Sequence, residues 1–336
     1  MRDVLKVGET EAKPGEIVKG CLGSVEIADS SKVTIPLINI NGAEDGPVLT
    51  VVSGVHGREL SGIGALLAAI KEIGPVSMRG ALLGIPGANP LAIRAGVYKT
   101  PVDEVNLSGP WFLPPLEQEK ASITYRMACC INEALEKADY VLDMHANGLP
   151  SMPFVLTCLG LCQNDKVKKE TERIAEAFGL TVINSSSKQV RNIMTACVNQ
   201  GKPAIEIEMA GNIYLWKSIY SVGSRGILNV MKAIGMLDGD LEKQDVNVIP
   251  GELEQWGFLY AQRGGLMFVK KEPGEWITKG ETVIEIVNTY GDVVEEVVMP
   301  VDGFCRSFRS GFHGTNAVSE GERLAYVVID RGSKSE

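Results

Sequence analysis

Three short patterns in this sequence bring together side chains that can do chemistry. The first is His56-Gly57-Arg58-Glu59, directly after the apolar run 48–53. An imidazole and a carboxylate three residues apart at a helix start can point to one side, and such a pair can hold one Zn2+. So short a pattern reads as simply as a helix-capping glutamate beside a surface histidine. The second is Asp143-Met144-His145, which closes the run 140–145. Residues two apart on a strand face the same way, so Asp143 can support His145. A histidine satisfied in a polar pocket would look the same. The third is Glu206-Ile207-Glu208, within the otherwise apolar stretch 203–211. A carboxylate buried in a parallel strand is costly without a partner. These glutamates therefore mark either a working site or the solvated face of an edge strand.

The histidine count favours one shared site. The chain has only 3 histidines, and two of them end strands. His56, Glu59 and His145 make a His2Glu set, which leaves a fourth position for water, as catalytic zinc sites require. Zinc, one ion per chain, is the expected cofactor, although the same donors accept other divalent ions. Glu208, nearer the carboxyl end of its strand, is the candidate general base. Glu206 sits one side-chain repeat deeper.

These groups need a scaffold, and the hydrophobic period supplies one. Strand-like runs at 48–53, 80–85, 140–145, 180–183 and 204–209 alternate with helical patterns over 60–73, 123–135, 165–178, 188–199 and 215–236. Strands alternating with helices imply an α/β fold, a mostly parallel or mixed sheet flanked by helices. Ligands in such sheets bind at the carboxyl ends of strands, where His56, His145 and Glu208 all fall. Residues 1–45 read as an N-terminal β segment packed on a catalytic domain over 46–245. After residue 245 the helical period stops, and short β-rich runs separated by glycine turns predict an all-β domain over 246–330. A loop rich in proline and glycine spans 98–118.

Composition narrows the partners. A chain of 336 residues has room for about two domains. Net charge of −9 with no basic run argues against nucleic acid and anionic membranes. No apolar stretch approaches the roughly 20 residues that span a bilayer, and the N-terminus lacks an apolar signal core. The 7 scattered cysteines suit reduced thiols in a cytoplasm better than a disulfide framework.

Taken in order, Gly-Val-His56-Gly-x-Glu59, Asn89-Pro90, Asp143-x-His145 and Glu208-x-x-Gly211 resemble the succinylglutamate desuccinylase/aspartoacylase family, of the zinc carboxypeptidase-like clan. The resemblance covers most of the chain. It implies one zinc held by His56, Glu59 and His145, with Glu208 as base and proton shuttle. It also implies hydrolysis of an N-acyl amide on a small amino-acid-like molecule. One segment departs from the family pattern. Where an Asn-Arg pair is usual, this chain has Ser108-Gly109. That arginine grips a substrate carboxylate with a forked pair of hydrogen bonds, which glycine cannot do. Arg58, Arg94 and Lys99 are local cations that could substitute, Arg94 or Lys99 could also hold the oxyanion, and Asn89 is a candidate wall of the pocket.

Two other readings compete. A zinc-binding homologue without catalysis would act as a small-molecule binding protein, and a carboxypeptidase-type peptidase would trim a terminal residue. The C-terminal part resembles a biotinyl/lipoyl-type barrel-sandwich, but it shows neither Met-Lys-Met nor Asp-Lys-Ala, so no carrier lysine is expected. His313 reads as a surface turn, and Trp111 with Phe112 as a loop or pocket rim. An added β domain of this kind suggests a homo-oligomer whose subunits shield one another's sites.

Overall fold

The computed structural model describes residues 2–109, 111, 122–147, 150–185, 191–211, 215–308 and 316–332. In chain order its strands begin with β1 (Leu5–Val7), β2 (Thr10–Ala12), β3 (Glu16–Glu26), β4 (Lys32–Asn41) and β5 (Glu44–Ser53). They continue with β6 (Arg79–Ile85), β7 (Tyr140–Ala146), β8 (Phe154–Thr157), β9 (Thr181–Asn184) and β10 (Ala204–Met209). The helices are α1 (Leu60–Glu72), α2 (Pro90–Ala95), α3 (Ile123–Lys137), α4 (Asp165–Phe178), α5 (Ile193–Asn199) and α6 (Lys217–Ala233).

The centre of the sheet is parallel. β6, β5, β7 and β10 run side by side in one direction. Apart from the site residues their buried stretches are mostly apolar, because helices cover both faces. On one face Val52, Val141, Phe154 and Ala204 pack with Met127 and Ile131 of α3 and Met194 and Val198 of α5. On the other face Val51, Leu142, Val155, Ile205 and Ile207 pack with Leu66 of α1, Phe178 of α4 and Ile227 of α6. Strand alternation then places Asp143, His145, Glu206 and Glu208 on the α3/α5 face, in step with Val141 and Ala204.

The flanks of the sheet are mixed. The N-terminal hairpin β3–β4 adds to β6 in antiparallel fashion. β8, a strand the periodicity does not reveal, joins β10 antiparallel and β9 parallel. No helix of the described residues is long and apolar enough to cross a membrane.

The remaining strands are β11 (Leu253–Tyr260), β12 (Gly265–Val269), β13 (Trp276–Ile277), β14 (Thr282–Val287), β15 (Val293–Val298), β16 (Gly303–Phe308), β17 (Ala317–Val318) and β18 (Arg323–Asp330). They form two antiparallel layers around a separate core that includes Met267, Ile284, Phe308 and Val327. The described residues from Leu253 to Asp330 form strands and no helix, and these strands are not detached. β13-β16-β18-β11 continue the central sheet through β9, giving 12 strands in one order. Along the sheet the β9–β11 step is one register pair, Glu254 with Asn184, while Leu253, Phe304 and Val328 pack into the core that holds Phe154. A shared sheet edge is made of backbone hydrogen bonds and leaves no mark in residue type.

Element ends also shift. α5 begins at Ile193, where Asn192 and Thr195 form a capping box; the expected start at 188 lies outside the described residues, as do Phe112 and His313.

Candidate metal centre

β5 ends at Ser53, and Gly54 turns the chain with a left-handed φ of 72°. The next residues form a tight turn in which Glu59 N–H donates to the His56 carbonyl at 3.1 Å. Gly57 is pressed onto α2: a Cβ there would lie 1.9 Å from the Ala92 carbonyl oxygen. Only glycine allows that approach. The turn delivers His56 and Glu59 toward the end of β7, where His145 emerges. All three are buried, at 3%, 8% and 5% exposure respectively.

Their ligand atoms lie within 4.8 Å of one another. His145 Nδ1 is 2.8 Å from Glu59 Oε2, and the same oxygen accepts from the Ala146 N–H at 3.3 Å. The His56 and His145 rings are 5.0 Å apart. Behind the pair, His145 Nε2 stands 3.1 Å from Asp143 Oδ1. A carboxylate behind a ligating imidazole is the usual support of a metal-bound histidine. Asp143 Oδ2 accepts a long bond from the Met194 N–H at 3.4 Å, at the start of α5. Burial opposes charge on His145, but Asp143 and Glu59 outweigh it and hold its pKa well above 6.5. Burial pulls His56 down to about 4, partly offset by Glu59. His56 is therefore the neutral imidazole that a cation requires. Two imidazoles and one carboxylate, dry and convergent, fit a zinc-type ion.

His56 is fixed by two residues. The Tyr98 ring stacks on it at 3.7 Å, and the Tyr98 carbonyl lies 3.2 Å from Nδ1. Ser108 Oγ lies 3.4 Å from Nε2. Ser108 is one of the two residues that depart from the family pattern, and the structure puts it against a metal-type ligand.

The two glutamates complete the site. In the parallel pair β10–β7, Glu208 is in register with His145, and Glu206 with Asp143. Glu206 is buried, and its Oε2 accepts a hydrogen bond from Asn192 Nδ2. Glu208 is half-buried. Burial raises both pKa values above 4.5, and each has a further acid beside it: Asp143 near Glu206, Glu206 near Glu208. Asp143, His145 and Glu206 form a second convergent group, which shares His145 with the first.

The other candidates from the sequence make contacts of their own. Asn89 caps α2: Oδ1 accepts from the Ala92 N–H and Nδ2 donates to Thr100 Oγ1. Arg58 Nε donates to the Gly96 carbonyl at 2.6 Å. Arg94 and Lys99 are exposed, and Arg94 acts electrostatically on Asp29 in a distant turn. Sequence reasoning passed over Tyr98 and Asn192. Asn192 carried a usable signal, since Asn-x-x-Thr before an apolar run marks a helix start.

Residues 45–234 match the family model described as the succinylglutamate desuccinylase/aspartoacylase catalytic domain. A curated relative is the N-alpha-acetyl-L-2,4-diaminobutyric acid deacetylase of Halomonas elongata. It is 25% identical over 306 residues, which covers 88% of this chain and 86% of that one. Among solved structures, the product-bound ectoine utilization protein EutE (DoeB) from Ruegeria pomeroyi superposes with a TM-score of 0.83 at 20% identity, covering 98% of this chain and 100% of that one. A succinylglutamate desuccinylase/aspartoacylase from Rhodobacter sphaeroides gives 0.76 at 23% identity, covering 90% of each chain. The structural likenesses establish a shared mixed α/β fold.

Proposed function

The chain belongs to the succinylglutamate desuccinylase/aspartoacylase family, and from that premise we propose that it is a zinc-dependent deacylase, hydrolysing the N-acyl amide of a small amino-acid-like molecule. The observation that carries this reading is the buried His56, Glu59 and His145 cluster with Glu208 in register beside His145. The deacetylase activity named for the Halomonas elongata relative supports it.

His56, Glu59 and His145 would hold the ion. When bound, zinc supplies Lewis-acid polarisation of the scissile carbonyl and makes water more acidic. Glu208 takes one proton from the attacking water and returns it to the nitrogen as the C–N bond breaks. The hydroxyl ends on the acyl carbon, and a carboxylic acid and an amine leave. Burial, and after it the neighbouring Glu206 carboxylate, raises the proton affinity of Glu208, so that Glu208 can carry the proton between the two steps. Asp143 orients His145, and Tyr98 with Ser108 orient His56.

Gly109 favours a second reading, a zinc-binding protein that holds a small molecule without turning it over. Metal analysis of the protein and of His56→Ala and His145→Ala variants, followed by a panel of N-acyl amino acids, separates the two. The deacylase reading requires about one zinc per chain, its loss in both variants, and release of free amine. Zinc without turnover on any panel member would leave the binding reading.

A further inference from the structure

The loop that in the family pattern carries a carboxylate-gripping arginine has Gly109 here, and a Cβ at that position would meet, among the described residues, the Asn106 carbonyl oxygen at 3.3 Å. The nearby cations do not fill the gap. Arg58 is bonded to the Gly96 carbonyl, and Arg94 and Lys99 face outward.

One buried cation stands elsewhere. Arg306, on β16, is only 4% exposed. Its guanidinium lies 4.4 Å from the Phe154 ring and 3.9 Å from the Tyr326 ring. Phe154 is the register partner of Glu208 across β8–β10, so Arg306 stacks on the residue beside the general base. Its backbone is tied to the segment that follows His145: the Met152 N–H donates to the Arg306 carbonyl at 3.2 Å, and Ser307 bridges to Ser151. Arg306 feels the charges of both Glu206 and Glu208, yet forms no ion pair with either.

Its hydrogen bonding is incomplete. Nη2 donates to Gln255 Oε1 at 3.1 Å. Nε and Nη1 are buried, with no partner among the described residues. Unfilled donors on a buried guanidinium are costly. An arginine kept only as a counter-charge would be expected to spend those donors on the two glutamates. Two unspent donors on a rigidly stacked guanidinium, shut off from solvent, suit an anion held inside the site rather than a surface counter-ion.

We propose that Arg306 is the specificity-determining cation that receives the substrate's carboxylate, taking the part left open at Gly109. The ligand class is then an N-acyl amino acid with a free carboxylate, rather than an N-acyl amine. This rests on the deacylase reading, and the test below keeps the two separable.

The test compares N-acetyl amino acids with their carboxamides on the zinc-loaded protein, and adds Arg306→Lys and Arg306→Gln. The unchanged protein should prefer the carboxylate by about 10- to 100-fold in kcat/KM, the size of one charged hydrogen-bonding contact. Arg306→Gln should bring that ratio near one, through KM, and Arg306→Lys should restore part of it. An equal fall on both substrates would make Arg306 a counter-charge of the glutamates and overturn the proposal. So would a lack of carboxylate preference in the unchanged protein, an arm that does not depend on any variant folding. Should neither substrate be hydrolysed, the deacylase reading falls, and calorimetric binding of the same pairs still decides. A carboxylate preference that Arg306→Lys weakens supports the anchor, and equal binding removes it.

Discussion

Asp143 Oδ1 stands 3.1 Å from His145 Nε2, on the ring edge opposite the nitrogen that faces Glu59 at 2.8 Å. The imidazole is held between two carboxylates, one on the side of the proposed ion and one behind it. Each ring nitrogen thus has a carboxylate oxygen within 3.1 Å. Asp143→Asn should therefore keep the ring in place but weaken its basicity, lowering metal affinity by about 10- to 100-fold. Competition with a chelator measures this. Unaltered affinity would show that Asp143 is only a packed polar residue.

Glu208→Gln should keep about one metal per chain and lose turnover by about 100- to 10,000-fold, the contribution of a positioned proton-transfer group. Mass spectrometry for metal and steady-state kinetics read the two effects separately. Glu206→Gln should be milder, because Glu206 sits deeper in the strand and its Oε2 is already held by Asn192 Nδ2. It should shift the pH profile downward by removing the charge that raises Glu208.

Stability of the metal-free protein should depend on pH with a definite sign. Glu206 and Glu208 have raised pKa values, so the folded chain keeps protons that the unfolded chain releases above about 4.5. Their contribution is present at low pH and is lost as pH rises through the raised values. His145, held well above 6.5, acts in the same direction above that pH. His56, lowered to about 4, acts oppositely between about 4 and 6.5. Above pH 6.5 the metal-free protein should thus lose stability with rising pH, and Glu206→Gln should flatten the slope. Urea titrations at several pH values test this. Uptake of zinc near neutral pH should release protons, visible by calorimetry in buffers of different ionisation enthalpy.

Gly57→Ala should destabilise the fold by about 1–3 kcal/mol, because its Cβ would lie 1.9 Å from the Ala92 carbonyl and force α2 aside. The same displacement carries His56 with it, so metal affinity should fall as well. A variant with the urea midpoint of the unchanged protein would contradict the close contact.

Much of the site was legible because it sits where pattern and chemistry coincide. His145 and Glu208 interrupt apolar strands, and a charged residue in a buried strand has to be explained. Their alternation also gave the shared face of Asp143 and Glu206. The convergence of His56 with His145 needed the fold, since 89 positions separate them. β8 was missed because Phe154–Thr157 is only 4 residues long, too short for a period. Arg306 left no trace in its own neighbourhood; its meaning comes from Phe154 and Tyr326, which reach it from two other strands. Asn89 is ambiguous from sequence for the opposite reason, since a helix cap and a pocket wall call for the same side chain.

The seam between β9 and β11 has a mechanical consequence. The 12-stranded sheet is continuous in order, but between β9 and β11 it is stitched by a single register pair; the ties beside it are the Met152–Arg306 and Ser151–Ser307 contacts and the packing of Leu253, Phe304 and Val328, and a second apolar core lies on the far side. Sheets part where the fewest backbone bonds must break. Amides of β11, β16 and β18 should therefore exchange with solvent together, as one cooperative unit that lets go before β5, β7 and β10 do. The strands bearing His145 and Glu208 would then outlast the wall that carries Arg306, so that on gentle heating the molecule would lose discrimination between ligands before it loses its grip on metal.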